Sequence, residues 1–109
     1  MNNNHLPELT DEQRRVASER AVEARRAQAK LKELVRKGEI TFDDALDDER
    51  AKRIRVRKLL MCVPGIGKTK TDNIMRASRI PENRRVQGLG RVQRKIISIA
   101  VDINKYKYK

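Results

Sequence analysis

The chain is poor in the residues that help small proteins build a dense core. It has no tryptophan, one phenylalanine and two tyrosines in 109 residues, so aromatic packing contributes little and the domain has to be stabilised by a small aliphatic core. Cys62 is the sole cysteine. That excludes an intramolecular disulfide and a multi-cysteine zinc site, and points to a reduced, semi-buried thiol in a cytosolic protein. The one histidine is His5, in the polar opening Met1-Asn2-Asn3-Asn4-His5, which has none of the apolar character of a secretion signal. No apolar run approaches the roughly 20 residues needed to span a bilayer. Acid is scarce in one half only. Residues 51–109 hold 17 basic and three acidic side chains, against ten basic and twelve acidic in residues 1–50.

What is present, then, is positive charge, a net +12 overall, with the whole excess in the second half. A chain that only needed solubility would mix the signs. This segregation calls for a polyanionic partner, nucleic acid first and an acidic membrane surface as the rival.

The pattern along the chain predicts an all-α protein of about five helices. Residues 1–9 read as a flexible tail. Thr10-Asp11-Glu12-Gln13 is a capping box that opens a helix, and Gly38 is its natural stop, so residues 10–38 form a long N-terminal helix. Its apolar stripe is thin, Ala17, Ala21 and Ala24 followed by Leu31, Leu34 and Val35. Only the C-terminal third is therefore expected to pack on a core, and the rest is read as a solvated, charge-alternating face. A short helix over 39–49, capped by Thr41, carries Phe42 and Leu46. The adjacent acids Asp47-Asp48-Glu49 point in different directions on a helix, so no metal site is expected. Further helices are predicted over 50–62, 68–78 and 91–103, the last burying Val92, Ile96, Ile97, Ala100 and Val101 at helical period. Ile74 and Ala77 are expected inward on the helix before it. Residues 39–103 thus form the binding domain, and 104–109 a basic, disordered tail.

Two turns carry the functional signal. Pro64-Gly65-Ile66-Gly67-Lys68 joins one helix to the next. Gly65 allows positive φ, Gly67 leaves room for a backbone oxygen to approach, and Ile66 plugs the turn into the core. The amides opening the following helix then face outward with the helix dipole behind them, and Lys68 and Lys70 add charge. Hydrogen bonds from main chain to phosphate do not read bases. An ATP-binding loop is excluded, because it needs four residues between its first glycine and Gly-Lys-Thr, and a preceding strand. The second turn is Arg84-Arg85-Val86-Gln87-Gly88-Leu89-Gly90-Arg91. Its two guanidinium forks suit phosphates or a minor-groove floor, ahead of another helix start.

In order and spacing, Leu60, Pro64-Gly65-Ile66-Gly67-Lys68, Arg84-Arg85-Val86 and Gly88-Leu89-Gly90 resemble the actinobacterial integration host factor family, over about residues 9–100. The resemblance implies a long N-terminal helix joined to a helix-two-turns-helix domain, related to a small-subunit ribosomal protein and to some DNA repair glycosylases. It implies a nucleoid-associated protein that binds duplex DNA with little sequence preference, bends or compacts it, and affects supercoiling and site-specific recombination. Two positions depart from the family pattern: Gln87 stands where arginine is frequent, and Val63 where leucine is. The DNA-contacting set expected from the two turns is Pro64, Gly65, Ile66, Gly67, Lys68, Lys70, Arg84, Arg85, Gln87, Gly88, Gly90 and Arg91. No cofactor, metal, membrane or small-molecule substrate is expected. The partner is double-stranded DNA in the cytoplasmic nucleoid, bound by a protein that is monomeric in solution, with association on DNA left open. A structured RNA is the alternative partner. Enzyme chemistry is not expected, because Asp72, Glu82 and Asp102 are isolated and form no acid–base pair.

Overall fold

The computed structural model describes the backbone of residues 10–107 and side chains through Asn104; the expected tail over 1–9 lies outside the described residues. The described chain is all helical: α1 (Asp11–Arg36), α2 (Phe42–Leu46), α3 (Val56–Cys62), α4 (Lys68–Ala77) and α5 (Arg91–Lys107), with 3₁₀ turns at Glu49–Ala51 and Val86–Gly88.

α1 begins where its capping box dictates. The Thr10 hydroxyl accepts from the Gln13 amide at 3.1 Å and the Gln13 side chain accepts from the Thr10 amide at 2.9 Å. It ends at Gly38, φ +75°, where the Gly38 and Glu39 amides donate back to the Val35 and Leu34 carbonyls, a closure that satisfies the last carbonyls of the helix. Twenty-six residues span about 39 Å, yet the buried residues of α1 are Leu31 and Val35. The earlier turns stand in solvent, as the late appearance of leucine indicates.

The core gathers around α3. Leu31 and Val35 meet Phe42, Ala45 and Leu46 of α2, Val56, Leu59 and Leu60 of α3, Ile74 and Met75 of α4, and Ile97 and Val101 of α5. Val63 and Ile66 anchor the turn between α3 and α4, and Ile80 and Val86 anchor the segment before α5. Cys62 is buried, its thiol donates to the Lys58 carbonyl at 3.2 Å, and burial pushes its pKa up, so it is an inert core group. No helix among the described residues is long and apolar enough to cross a membrane.

Five expectations need correction. The helix expected over 50–62 is broken: a 3₁₀ turn and an extended Ile54–Arg55 step precede α3. Here the Val56 amide donates to the Arg84 carbonyl at 2.9 Å and the Val86 amide to the Ile54 carbonyl at 3.0 Å. This pairing with a distant segment outweighs a weak local helix preference. The helix expected over 39–49 is reduced to Phe42–Leu46, with Thr41 capping as expected and Asp48 capping the next turn. α5 continues past Ile103 to Lys107, so residues 104–107, expected to be disordered, are helical. Finally, Val92 is 68% and Ile96 39% exposed, because α5 presents Ile97 and Val101 to the core from the opposite face. Ala77 is likewise exposed, and Thr71 and Met75 take the inward positions of α4.

Candidate nucleic-acid interface

The 64–68 turn follows α3 directly. Gly65 has φ +86°, a left-handed conformation that a side chain would strain. Ile66 is buried and Pro64 exposed. Gly67 caps α4 with no side-chain hydrogen bond, and a Cβ there would meet nothing within 4 Å. Its φ of −96° does not demand glycine, so neither backbone conformation nor internal packing requires the residue, and the α4 amides are left open to solvent. Lys68 is exposed beside them. Lys70 turns back instead, its ammonium donating to the Gly65 carbonyl at 3.1 Å, which braces the turn while keeping the charge next to it.

In the 84–90 turn the two arginines divide their tasks. Arg84 is half-buried and donates to the Gly88 carbonyl at 2.9 Å and the Gln93 side-chain oxygen at 3.1 Å. A Cβ on Gly88 would sit 3.0 Å from the Arg84 stem, so glycine lets the arginine fold over the turn. Arg84 therefore builds the turn. Arg85 is exposed and donates one guanidinium hydrogen to the Arg53 carbonyl, which aims the rest of its fork outward. Gln87, Gly88, Gly90 and Arg91 are exposed.

Three features were not legible from the sequence. Arg55 and Arg85 face each other across an isolated antiparallel bridge, although 30 residues apart in the chain. Like charges directly opposite one another are destabilising, and neither arginine has an acidic partner among the described residues. With Arg53 exposed beside them, they form a concentrated positive ridge. The second is Gln93, whose side chain accepts from the Gly90 amide at 3.1 Å and from Arg84, and donates to the Arg79 carbonyl at 3.0 Å. It ties the turn, the start of α5 and the end of α4 together. Replacing Gln93 with alanine is expected to cost about 1–2 kcal/mol, seen as a lower urea midpoint. The third is Arg79, exposed with φ +55° at the end of α4, the position where glycine is usual. Arg79→Gly is expected to stabilise the fold by about 1 kcal/mol in thermal unfolding while weakening binding to a polyanion.

Several acids are paired with other basic side chains, while Glu82 lines a cleft with Arg55, Arg57 and Lys58. Asp47 pairs with Arg94 at 2.6 Å, Asp48 with Arg50 at 2.8 Å and Glu49 with Lys52 at 3.1 Å. Asp72 pairs with Arg57, and that guanidinium holds its carboxyl below the usual range. Asp47 thus ties the end of α2 to α5, while Asp48 and Glu49 pair within the first 3₁₀ turn and its caps.

The two turns are not neighbours. The Arg55–Arg85 bridge lies at the start of α3 and the 64–68 turn at its end, separated by the rise of seven helical residues, about 10 Å.

Comparison with known proteins gives this geometry its context. The S13-like H2TH domain model matches residues 24–99. The integration host factor of Mycolicibacterium smegmatis is 43% identical over 96 residues, covering 84% of this chain and 91% of that protein. The chain belongs to the integration host factor family. The family's Streptomyces coelicolor member is 36% identical over 89 residues, covering 78% of this chain and 83% of its own. A solved structure described as sIHF bound to an 8 bp palindromic DNA superposes with a TM-score of 0.70 at 29% identity, over 74% of this chain and 96% of that one.

Proposed function

We propose that this family member is a non-enzymatic, nucleoid-associated protein that grips the phosphates of duplex DNA with little sequence preference and bends or compacts it, thereby influencing supercoiling and recombination. The observation that carries this reading is the Arg55–Arg85 juxtaposition. It violates a local rule of stability, and a bound phosphate relieves the repulsion. The open α4 N-terminus at Gly67 supplies a second phosphate site. The two sites are about 10 Å apart along α3, so they engage two separate phosphates rather than one. Backbone amides and guanidinium groups directed at phosphates position the protein without reading bases. The DNA-bound relative supports the same partner.

Competition decides between duplex and structured RNA. A labelled random-sequence duplex bound by the protein is expected to be displaced by unlabelled duplex at far lower concentration than by a folded RNA of equal length. The reverse order would transfer the assignment to RNA. Accelerated ring closure of short duplexes is the expected sign of bending.

A further inference from the structure

α5 has two apolar faces. Ile97 and Val101 are buried in the core, while Val92, Ile96, Ile99 and Ile103 remain 68, 39, 52 and 60% exposed. These four make up most of the large hydrophobic side chains exposed among the described residues; Val22 and Met61 are the others. Their spacing of four, three and four residues draws one stripe along the helix, the seam that a partner helix fills in a coiled coil. Isolated exposed hydrophobics need no explanation, but an aligned stripe marks an interaction surface.

We propose that this stripe is a weak self-association surface, occupied by α5 of a second copy of the chain running antiparallel. The pattern is self-complementary. A twofold axis between Ile96 and Ile99 sets Val92 against Ile103 of the partner subunit and Ile96 against Ile99 of the partner subunit, so four layers close with one residue type, β-branched aliphatic, throughout. The same register brings Lys95 beside Asp102 of the partner subunit, twice by symmetry. Both residues are exposed, and neither forms an ion pair among the described residues. The other edge of the stripe carries Gln93 and Ala100, both half-buried and turned toward their own chain, so no charge opposes the contact there. This is an isologous contact, closed by its own symmetry. It is small. Stable complexes bury at least about 1,200 Å², more than four half-exposed side chains per copy provide, and a net charge of +12 on each copy opposes approach. Association is therefore strongly concentration-dependent, and rises where copies are crowded. The inference rests on α5 alone and stands or falls separately from the DNA reading.

Sedimentation equilibrium of the full chain tests it through charge reversal. The wild-type protein is expected to show a reversible dimer at high concentration. Lys95→Asp alone and Asp102→Lys alone each set like charges against one another and are expected to weaken dimerisation about tenfold. An equal mixture of these two variants makes both cross-pairs complementary and is expected to recover most of that loss. Ile99→Glu is expected to abolish the dimer with an unchanged helical spectrum, because its side chain is outside the core. A wild-type chain that stays monomeric at all concentrations, as it would if another segment of the chain covered the stripe, overturns the proposal. So does a mixture that associates no better than either variant alone.

Discussion

Raising monovalent salt from about 50 to about 200 mM is expected to weaken binding to a random-sequence duplex roughly a thousandfold, the loss that corresponds to some six phosphate contacts. Six is a modest count for this surface. Arg53, Arg55, Lys58, Lys68, Arg76, Arg79, Arg85 and Arg91 are all exposed and without an ion pair among the described residues. Each lies in the half of the chain that holds 17 basic and three acidic residues. Every cation that neutralises a phosphate releases a counterion, so the logarithm of affinity falls linearly with the logarithm of salt, by about 0.9 per contact. Replacing Arg55 and Arg85 together by alanine is expected to flatten the slope by nearly two units with little change in thermal stability, since removing like charges from opposite positions also removes a repulsion. Arg84→Ala is expected to behave differently. Its guanidinium is engaged with Gly88 and Gln93, so its loss loosens the turn and lowers stability along with affinity. Fluorescence anisotropy titrations at four or five salt concentrations separate these outcomes. A slope near zero would sink the phosphate reading, and an unchanged slope in the Arg55/Arg85 double variant would move the contact elsewhere.

Leu59→Ala is expected to destabilise the protein by about 3 kcal/mol, within the range for leucine truncation in a well-packed core. Leu59 is fully buried and sits in mid-α3, the short helix whose two ends carry the two binding turns. A domain with few aromatics has little reserve; total stabilities of 5–15 kcal/mol are usual, and the truncation removes a large part of that. The expected fall in melting temperature exceeds about 10 °C. Binding should decline with the folded fraction, so affinity extrapolated to fully folded protein stays near the wild-type value unless α3 shifts and spoils the spacing of its ends. Circular dichroism melts measure the first quantity, and titration well below the melting point measures the second. A shift of only a few degrees would mean that α3 is not the pillar of the core.

Much of this molecule is written in local chemistry. The bounds of α1 follow from the Thr10–Gln13 box and from Gly38, since a cap and a left-handed glycine act within a turn of the residues that specify them. Thr41 starts α2 for the same reason. The solvated stretch of α1 follows from leucines confined to its last third, and the 64–68 turn from a glycine with φ +86°. The charge segregation that points to a polyanion is likewise present in the chain before it folds.

Tertiary structure decided what depended on distant partners. Periodicity identified α5 as a helix but placed Val92 and Ile96 inward along with Ile97 and Val101. The inward face is set by the packing of α2, α3 and α4, which took Ile97 and Val101 and left Val92, Ile96, Ile99 and Ile103 outside. The break before α3 depends on the Val56 amide donating to the Arg84 carbonyl and the Val86 amide donating to the Ile54 carbonyl, a pairing no local window contains. The same pairing set Arg55 against Arg85 and separated the two turns by the length of α3, while contacts with Gly88 and Gln93 gave the Arg84 side chain a structural task. Caps, turns and net charge are local, so the sequence alone determined them. Register and facing are sums over the whole packed core, and so only the folded chain could decide where the positive charge is concentrated.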